Sequence, residues 1–475
     1  MRVAFLSSEA VPYSKTGGLG DVAGALPKAL AEGGVDVALV TPLYSDTDRG
    51  LLSEHPAFDN LDVEWLGGVR RTWVWYSEAS GAPTYLIDAP EYFMRDSIYG
   101  FGDDHERFAF FSRAALALIG RLGDAPDIVH MNDWQCGFAS AWLRAGRPYG
   151  GYFGRTRTLF SVHNLAYQGL FDPADLWRLG FRHGEESNYF RAGNAASAMK
   201  AGLITADALS TVSRRYSFEI QTPEHGHGLE WLLRQRSDRL IGITNGVDYE
   251  VWNPETDPHL AAHYTRDDLS GKRECKRDLL RRLGLPEELN RPVIGTVSRL
   301  TAQKGYDIIK QAAARLLNTG AFFVALGSGA REYEDFLQAL RDAAPHRVGV
   351  YKGFSEPLAH KIEAGADIFL MPSLYEPCGL NQMYSMRYGT VPVVRATGGL
   401  DDTVEHFSRE RGTGTGFKFG AYTAEGLLGA VQEALRHYAD PAVWRKIQLN
   451  GMSEDNSWAA AARKYAEVYR VVSTL

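Results

Sequence analysis

The chain has 475 residues, of which 45% are hydrophobic and 23% are charged, and its formal net charge is -7 at pH 7. One hydrophobic core does not organise a chain of this length, so we expect two domains of about 200 residues or more each. The acidic balance excludes a general attraction to nucleic acid or to an anionic membrane, so neither is predicted as a partner, and an anionic ligand must meet a local basic site.

The cysteines and the apolar runs indicate the compartment. Cys136, Cys275 and Cys378 lie far apart without C-x-x-C spacing, which favours neither a disulfide framework nor a zinc site. No stretch approaches the ~18 apolar residues of a membrane span, and the apolar run at residues 3–6 is too short for a signal peptide. We therefore predict a cytoplasmic protein.

The first half of the chain alternates predicted strands and helices. Residues 2–8 predict a buried strand, residues 18–31 carry apolar side chains at helical spacing, and VDVALVTP predicts a second strand. The strands TYLIDAP, DIVHMND and RTLFSVHN then alternate with the helices ERFAFFSRAALALIGRL and CGFASAWLRAG. This alternation is typical of an open parallel sheet with helices on both faces.

The second half repeats the pattern from RPVIGTVSRL onwards, with further strands at AFFVALGSG, RVGVYKGF, DIFLMPS and VPVVRATGG. The charged stretch before it, RDDLSGKRECKRDLLRRLGLPEELN, predicts a solvated helix face, and ITNGVDYEVWNP predicts a linker. We therefore predict an α/β fold of two doubly wound, Rossmann-like domains that face each other across a cleft. Ligands of such sheets bind beyond the carboxyl ends of the strands.

Lys15 stands just before a glycine-rich turn, KTGGLG, that joins the first predicted strand to the first helix. Free N–H groups at a helix start, with an ammonium beside them, favour an anion such as phosphate. Gly18, Gly20 and Ala23 also fit the dinucleotide pattern G-x-G-x-x-A, but no acid ends the second strand, which disfavours a nicotinamide site. Lys15 precedes the glycines, which excludes a P-loop. Glycines that serve only close packing remain an alternative.

The second predicted sheet carries its own basic pair, Arg299 and Lys304, in the loop after the VIGTV strand. This is where a phosphate would bind, although a solvated loop remains an equal alternative. Glu376, in SLYEPCGLNQM, precedes a helix predicted to start at about Gly379. Its carboxylate could accept hydrogen bonds from sugar hydroxyls, or it could be only a favourable charge at a helix start. Cys378 is interpreted as a packing residue, because no histidine accompanies it.

Polar side chains also end two strands of the first predicted domain. These are Asn132 and Asp133 in HMNDWQCG, and His163 with Asn164 in SVHNLAYQG. They could face the cleft, although a histidine at a strand end is often only structural. The H-x-H pair in PEHGHGLEW lacks a third ligand and is a poor metal site.

Several motifs together resemble the bacterial glycogen synthase and plant starch synthase family. They are KTGGLGDV, SVHNLAYQG, TNGVD, SRLTAQKG, PSLYEPCGLNQMYSMRYGT and TGGLDDTV, in the family's order and over nearly the whole chain. The resemblance implies a GT-B fold, ADP-glucose as donor, an α-1,4-glucan such as glycogen as acceptor, retention of configuration, and neither metal nor other cofactor. It also implies domains at residues 1–245 and 246–455, and a final helix within residues 456–475 that crosses back to the first domain.

The resemblance also assigns site residues. It gives Lys15 to the donor site, Arg299 and Lys304 to the diphosphate, and Glu376 to the donor glucose. Phe354 stands where the family packs an aromatic ring on adenine, although a core phenylalanine is the alternative. The residues it implies for catalysis are Lys15, Asp133, His163, Arg299, Lys304 and Glu376. The residues it implies for substrate binding are Glu9, Gly17, Gly18, Asp21, Asn245, Phe354, Cys378, Gly379, Leu380, Thr397, Gly398 and Gly399.

Two positions depart from relatives of the wider superfamily. Tyr384 stands where a second glutamate is frequent, and Gln135 replaces a histidine, so neither is given a chemical role. Three alternatives stay open: a UDP-glucose or other-acceptor glucosyltransferase, a glycosidase that pairs Asp133 with Glu376, and an inactive glucan-binding or regulatory homologue. The glycosidase hypothesis does not explain the three basic residues Lys15, Arg299 and Lys304. The sequence indicates no oligomeric state.

Overall fold

The computed structural model describes residues 1–146 and 151–475. It divides into two compact units, Met1–Gly246 with Trp458–Leu475, and Val247–Ser457. Across the described residues, every helix is too short or too polar to span a membrane.

The strands of the first unit follow one another as β1 (Arg2–Leu6), β2 (Asp36–Pro42), β3 (Phe58–Trp65), β4 (Gly68–Ser77), β5 (Thr84–Asp88), β6 (Ile128–Asn132), β7 (Arg157–Val162), β8 (Leu170–Phe171), β9 (Arg191–Ala192), β10 (Ala195–Ser197), β11 (Ala208–Thr211) and β12 (Leu240–Gly242). Nine of them form one sheet in the order β12-β11-β7-β6-β1-β2-β5-β4-β3. The strand order reverses between β1 and β6, and ligands of doubly wound sheets bind at such a switch point.

The helices of the first unit are α1 (Gly18–Glu32), α2 (Pro90–Phe93), α3 (Asp104–Ile119), α4 (Gly137–Arg144), α5 (Glu185–Phe190), α6 (Ala198–Thr205), α7 (Arg214–Glu219) and α8 (Glu230–Gln235), with the chain's last helix, α17 (Trp458–Val472). The short strands β8, β10 and β9 form a separate antiparallel sheet.

The nine-stranded sheet carries an antiparallel hairpin that the sequence interpretation did not include. Strands β3 and β4 pair antiparallel, and β4 also pairs antiparallel with β5. The turn between them is Leu66–Gly67, and both residues have positive φ, 49° and 79°. Two positive φ values are what a tight two-residue hairpin turn requires, and Leu66 is an unusual residue there, which is why the turn gave no signal.

Helix α17 packs in the core of the first unit. Its face of Trp458, Tyr465 and Tyr469 is buried in one cluster with apolar residues of α1 and of the sheet. The Tyr469 hydroxyl is 2.7 Å from Nδ1 of His130 on β6, and His130 Nε2 is 2.6 Å from Ser161 Oγ on β7. The last helix is therefore joined to the sheet by packing and by a buried polar chain.

The second unit holds a six-stranded sheet that is parallel throughout its described pairings. Its strands are β13 (Val293–Val297), β14 (Phe322–Gly327), β15 (Val348–Lys352), β16 (Ile368–Met371), β17 (Val391–Arg395) and β18 (Phe417–Phe419). Its helices are α9 (Ser270–Arg282), α10 (Tyr306–Asn318), α11 (Arg331–Ala343), α12 (Glu356–Gly365), α13 (Asn381–Arg387), α14 (Gly398–Thr403), α15 (Ala424–Tyr438) and α16 (Pro441–Met452). The order β15-β14-β13-β16-β17-β18 places its switch point between β13 and β16.

Helix α9 exposes part of its charged sequence, as a solvated face requires, but it also buries two lysines that the sequence did not indicate. Lys272 and Lys276 are buried. The Lys272 ammonium donates to the carbonyl oxygens of Ala364 and Tyr388 and to Thr390 Oγ1, and Lys276 pairs with Asp367 at 2.6 Å. Burial lowers the pKa of Lys272 to about 8. Both lysines stay inside because each ammonium finds oxygen partners there.

Candidate functional site

Glu9 follows β1 at the switch point of the first unit, and its carboxylate holds the KTGG turn. Glu9 Oε2 accepts hydrogen bonds from the backbone N–H groups of Thr16 (2.5 Å) and Gly17 (3.3 Å). Glu9 Oε1 accepts from Thr16 Oγ1 (3.1 Å) and from the Tyr99 hydroxyl (3.0 Å). Burial raises the pKa of Glu9, although these hydrogen bonds act to lower it. In this structure Glu9 therefore positions the loop, and a substrate would have to compete for it.

Lys15 lies in the turn that Glu9 holds. About half of its side chain is exposed, and its ammonium is 2.7 Å from Asp21 on α1. Gly17 precedes α1, and Gly18 is its first residue. A surface pair of this kind contributes little stability, so Lys15 can exchange Asp21 for a more strongly charged anion at small cost.

Asp133 follows β6, on the other side of the same switch point. Its carboxylate oxygen Oδ1 accepts hydrogen bonds from the backbone N–H groups of His163 (2.7 Å) and Asn164 (3.4 Å). Its φ of 56° lies in the left-handed region, where a non-glycine residue stores strain. Burial, with a smaller contribution from the charge of Glu9, raises the pKa of Asp133 to about 7, although the hydrogen bonds from His163 and Asn164 oppose the shift. Strain and a perturbed pKa at a strand end are typical of a functional carboxylate.

His163 follows β7 next to Asp133. Its Nε2 is 2.9 Å from Asn132 Oδ1, so Nε2 carries the proton of a neutral ring. Burial lowers the pKa of His163 to about 4, so at neutral pH the ring is uncharged and suits hydrogen bonding better than proton donation. Asn245, also in this unit, is buried, and its Oδ1 accepts no hydrogen bond from the described residues.

Replacing Asp133 with asparagine is expected to stabilise the protein at pH 8 and not near pH 4. The folded pKa of about 7 lies above the ordinary value of 3.8. The folded state therefore binds more protons than the unfolded state between these values, and the free energy of unfolding falls as pH rises through them. Asparagine keeps the oxygen that accepts the hydrogen bonds and removes the charge. The free energy of unfolding is therefore expected to rise by up to about 4 kcal/mol at pH 8.

Thermal melts at pH 4 and pH 8 measure this, with Asp46→Asn, an exposed aspartate, as the matched control. A gain in melting temperature for Asp133→Asn at pH 8 that is absent from the control is the expected result. An Asp133→Asn variant that melts at or below the wild-type temperature at pH 8 would contradict the raised pKa.

Two loops meet at the switch point of the second unit. One follows β13 and carries Arg299 and Lys304, and the other follows β16 and carries Glu376. The N–H of Leu374 donates to the carbonyl of Gln303 (2.8 Å), which joins the loops. The Lys304 ammonium is 2.5 Å from Glu376 Oε2, and the Ser373 hydroxyl donates to the same oxygen at 3.1 Å. Both charged side chains are largely buried.

The Glu376 loop is backed by the segment before α14. Gly398 has a φ of 45°, and a Cβ there would lie 1.9 Å from the Glu376 carbonyl oxygen, so only glycine fits this approach. The N–H of Gly399 donates to that same carbonyl, and the N–H of Thr397 donates to Arg395. Substrate binding through the backbone N–H groups of Thr397 and Gly399 would therefore require these bonds to change. In this structure the segment supports Glu376.

Other predicted donor-site groups of the second unit are accessible. Arg299 is exposed, and its guanidinium has no partner among the described residues. Phe354 is 84% exposed, which excludes the core alternative. The N–H groups of Gly379 and Leu380 donate to no described residue, whereas Cys378 is buried as a packing residue. Helix α13 begins at Asn381 rather than at about Gly379, because Gly379 has a φ of 70°.

Two residues of these networks had no signal in the sequence. Tyr99 holds Glu9 from a loop that is distant in sequence, and Ser373 binds Glu376 from within an apolar motif. Elsewhere, residues 1–146 and 151–475 contain no cluster of three His, Cys, Asp or Glu side chains that could hold a metal ion.

Comparison with known proteins identifies the chain's relatives. Residues 2–235 match the family described as starch synthase catalytic domain, and residues 282–448 match glycosyl transferases group 1. A glycogen synthase of Anaeromyxobacter dehalogenans is 48% identical over 485 residues, covering 100% of both chains. The chain belongs to the glycogen synthase and starch synthase family.

Further relatives agree with this membership. A glycogen synthase of Bacillus cereus is 41% identical and covers 99% of both chains. The solved catalytic domain of starch synthase IV from Arabidopsis thaliana, bound to ADP and acarbose, is 34% identical, with a TM-score of 0.91 over 100% of this chain and 99% of that one. The predicted family, the GT-B fold class and the predicted function of a glycogen synthase, a glycosyltransferase, are therefore confirmed.

Proposed function

We propose that the protein transfers glucose from ADP-glucose to the 4-hydroxyl at the non-reducing end of an α-1,4-glucan, with retention of configuration, in glycogen biosynthesis. The observation that carries the proposal is the second unit's switch point, where Lys304 is held against Glu376 in a largely buried pair and the nearby Arg299 has no described partner. A sugar diphosphate presents the complementary groups, which are anionic oxygens and hydroxyls.

The cations are proposed to act on the leaving group. Breaking the bond between the anomeric carbon and the β-phosphate oxygen leaves negative charge on ADP. Preorganised cations that face developing charge lower the barrier most in a site that excludes water. We assign Arg299 and Lys304 to the diphosphate, and the family resemblance adds Lys15. Glu376 then accepts hydrogen bonds from glucose hydroxyls when the diphosphate draws Lys304 away.

The acceptor is proposed to attack from the face that ADP leaves. The new bond forms between the glucan 4-oxygen and the anomeric carbon, and the hydroxyl proton passes to the departing β-phosphate oxygen. Asp133, with a pKa of about 7, is partly ionised at neutral pH and can stabilise the positive character of the sugar carbon. Neutral His163 offers hydrogen bonding to a sugar hydroxyl.

The accessible Phe354 ring supports an adenine base, because an exposed aromatic face can stack on a flat heterocycle. The solved catalytic domain of starch synthase IV from Arabidopsis thaliana is bound to ADP and acarbose, which supports an ADP-linked donor here. All three cysteines are free and buried, which fits the proposed reducing cytoplasm.

Incubation with glycogen and labelled ADP-glucose or UDP-glucose tests the proposal. We expect glucan labelling from ADP-glucose with the higher kcat/KM, and an α-1,4 linkage in the product by NMR. A higher kcat/KM with UDP-glucose would show that UDP-glucose, and not ADP-glucose, is the donor. Release of glucose from glycogen without a donor would indicate a glycosidase, and glucan binding without transfer would indicate an inactive homologue.

A further inference from the structure

Asn132 lies among the strand ends that carry the candidate site, and the proposed transfer gives it no role. It is the last residue of β6, and its side chain is fully buried. Its Nδ2 donates to the carbonyl oxygen of Leu6 at 2.9 Å, and its Oδ1 is 2.9 Å from Nε2 of His163. Leu6 ends β1 and His163 follows β7, the two strands that flank β6 in the sheet. One amide therefore joins three strand ends at the switch point of the first unit.

The Leu6 carbonyl determines which way the Asn132 amide faces. A carbonyl oxygen accepts hydrogen bonds and cannot donate one, so the Nδ2 group of the amide must face it. The Cys136 thiol donates to the same carbonyl at 3.5 Å, so Leu6 is an acceptor in both contacts. Asn132 Oδ1 is thus directed at His163, where it can only accept a hydrogen bond. The proton of that hydrogen bond must come from Nε2 of His163.

The other ring nitrogen of His163, Nδ1, is left as an acceptor. Burial lowers the pKa of His163 to about 4, so the ring holds one proton at neutral pH, and Asn132 keeps that proton on Nε2. His163 is partly exposed, and its Nδ1 has no hydrogen-bond partner among the described residues. The Nδ1 lone pair suits a group that donates a hydrogen bond, such as a hydroxyl, and it repels a group that can only accept one.

We infer that Asn132 is a positioning residue, which holds His163 in the tautomer protonated at Nε2 so that Nδ1 selects a hydroxyl of the donor glucose. The inference rests on the proposed function for the identity of the sugar. Asn132 acts on donor specificity without touching the substrate, because its buried amide decides whether His163 offers a lone pair or a proton. A sugar that places fluorine opposite Nδ1 should therefore bind more weakly than glucose.

Nitrogen NMR of the protein labelled with ¹⁵N-histidine measures the tautomer without any substrate. Correlations between ring protons and ring nitrogens distinguish a protonated nitrogen from an unprotonated one, and His163→Gln identifies the His163 signals by their loss. We expect wild-type His163 to be protonated only at Nε2 at neutral pH. Asn132→Leu should give a mixture of both tautomers. Asn132→Asp keeps an oxygen towards Nε2 and should retain the wild-type form.

Donor kinetics and donor binding test the consequence of the tautomer. The kcat/KM for ADP-glucose is expected to fall about tenfold in Asn132→Leu, which is roughly the worth of one neutral hydrogen bond, with the KM for glycogen unchanged. One ADP-glucose analogue with a hydroxyl replaced by fluorine should bind wild type about tenfold more weakly than ADP-glucose and show no such difference in Asn132→Leu. Asn60→Leu, at an exposed asparagine of β3 in the same sheet, is the matched control.

The outcomes separate this inference from the proposed function. A wild-type His163 that is protonated at Nδ1 would overturn the role of Asn132 even in an enzyme that transfers from ADP-glucose, and this measurement needs no variant to fold. An Asn132→Leu protein with the wild-type tautomer and wild-type donor kinetics would overturn it as well. The expected tautomers in a protein that transfers from no sugar nucleotide would uphold the positioning by Asn132 while the proposed function fails.

Discussion

Replacing Lys304 with alanine is expected to lower kcat by about 10²–10³-fold, the loss seen when one preorganised donor is removed from other oxyanion sites. Lys304 is mostly buried, and Glu376 holds its ammonium at the switch point, from which it is proposed to move to the diphosphate. Arg299→Ala is expected to lose turnover in the same range. Arg299→Lys should recover only part of it, because an ammonium lacks the planar fork that binds two phosphate oxygens.

The measurement is steady-state transfer to glycogen at saturating ADP-glucose, with Lys310→Ala as the matched control. Lys310 is an exposed lysine on α10, a few residues after Lys304. Lys304→Ala also leaves the buried Glu376 carboxylate without its cation, so melting temperatures are needed to show that the variant is folded. A folded Lys304→Ala enzyme that turns over as fast as Lys310→Ala would remove Lys304 from the proposed mechanism.

The fold could be predicted from the sequence where local patterns decide it. The strands β1, β6, β13 and β16 are short apolar runs that end in polar residues, and each lies where its pattern indicates. The β3–β4 hairpin was missed because its turn uses Leu66 at positive φ, where glycine or asparagine is usual. The buried lysines of α9 were missed because their oxygen partners are about 90 or more residues away in the chain.

The site was predictable in its residue types and less so in its contacts. Strand ends and glycine turns indicated Lys15, Asp133 and Lys304, because polar groups there must face the carboxyl edge of a sheet. The role of Glu9 could not be read in the same way. Its partner Tyr99 lies 90 residues away, and its bonds to Thr16 and Gly17 exist only once the turn has folded. A carboxylate in a sequence motif can stabilise its own loop or bind a substrate. The spacing of residues in the sequence does not distinguish these two roles.

Removing α17 by ending the chain after Ser457 is expected to unfold the first unit. The helix buries Trp458, Tyr465, Val468, Tyr469 and Val472. Burial of each such side chain is worth about 1.5–3 kcal/mol, so their loss is roughly 7 kcal/mol or more. That is comparable with the whole stability of a typical domain, about 5–15 kcal/mol. The cut falls after Ser457 because Val247 of the second unit donates to Asn456.

Two point variants separate packing from the buried polar chain. Tyr469→Phe keeps the ring and removes the hydroxyl that meets His130, so it is expected to cost about 1–3 kcal/mol, as for a buried group left without its partner. Arg470→Ala, on the exposed side of the same helix, is expected to stay within about 0.5 kcal/mol of wild type. Because the core of the second unit contains no α17 residue, calorimetry of the truncated chain should retain a transition for Val247–Ser457 and lose the other. A truncated chain that keeps both transitions at wild-type temperatures would show that the first unit does not depend on its last helix.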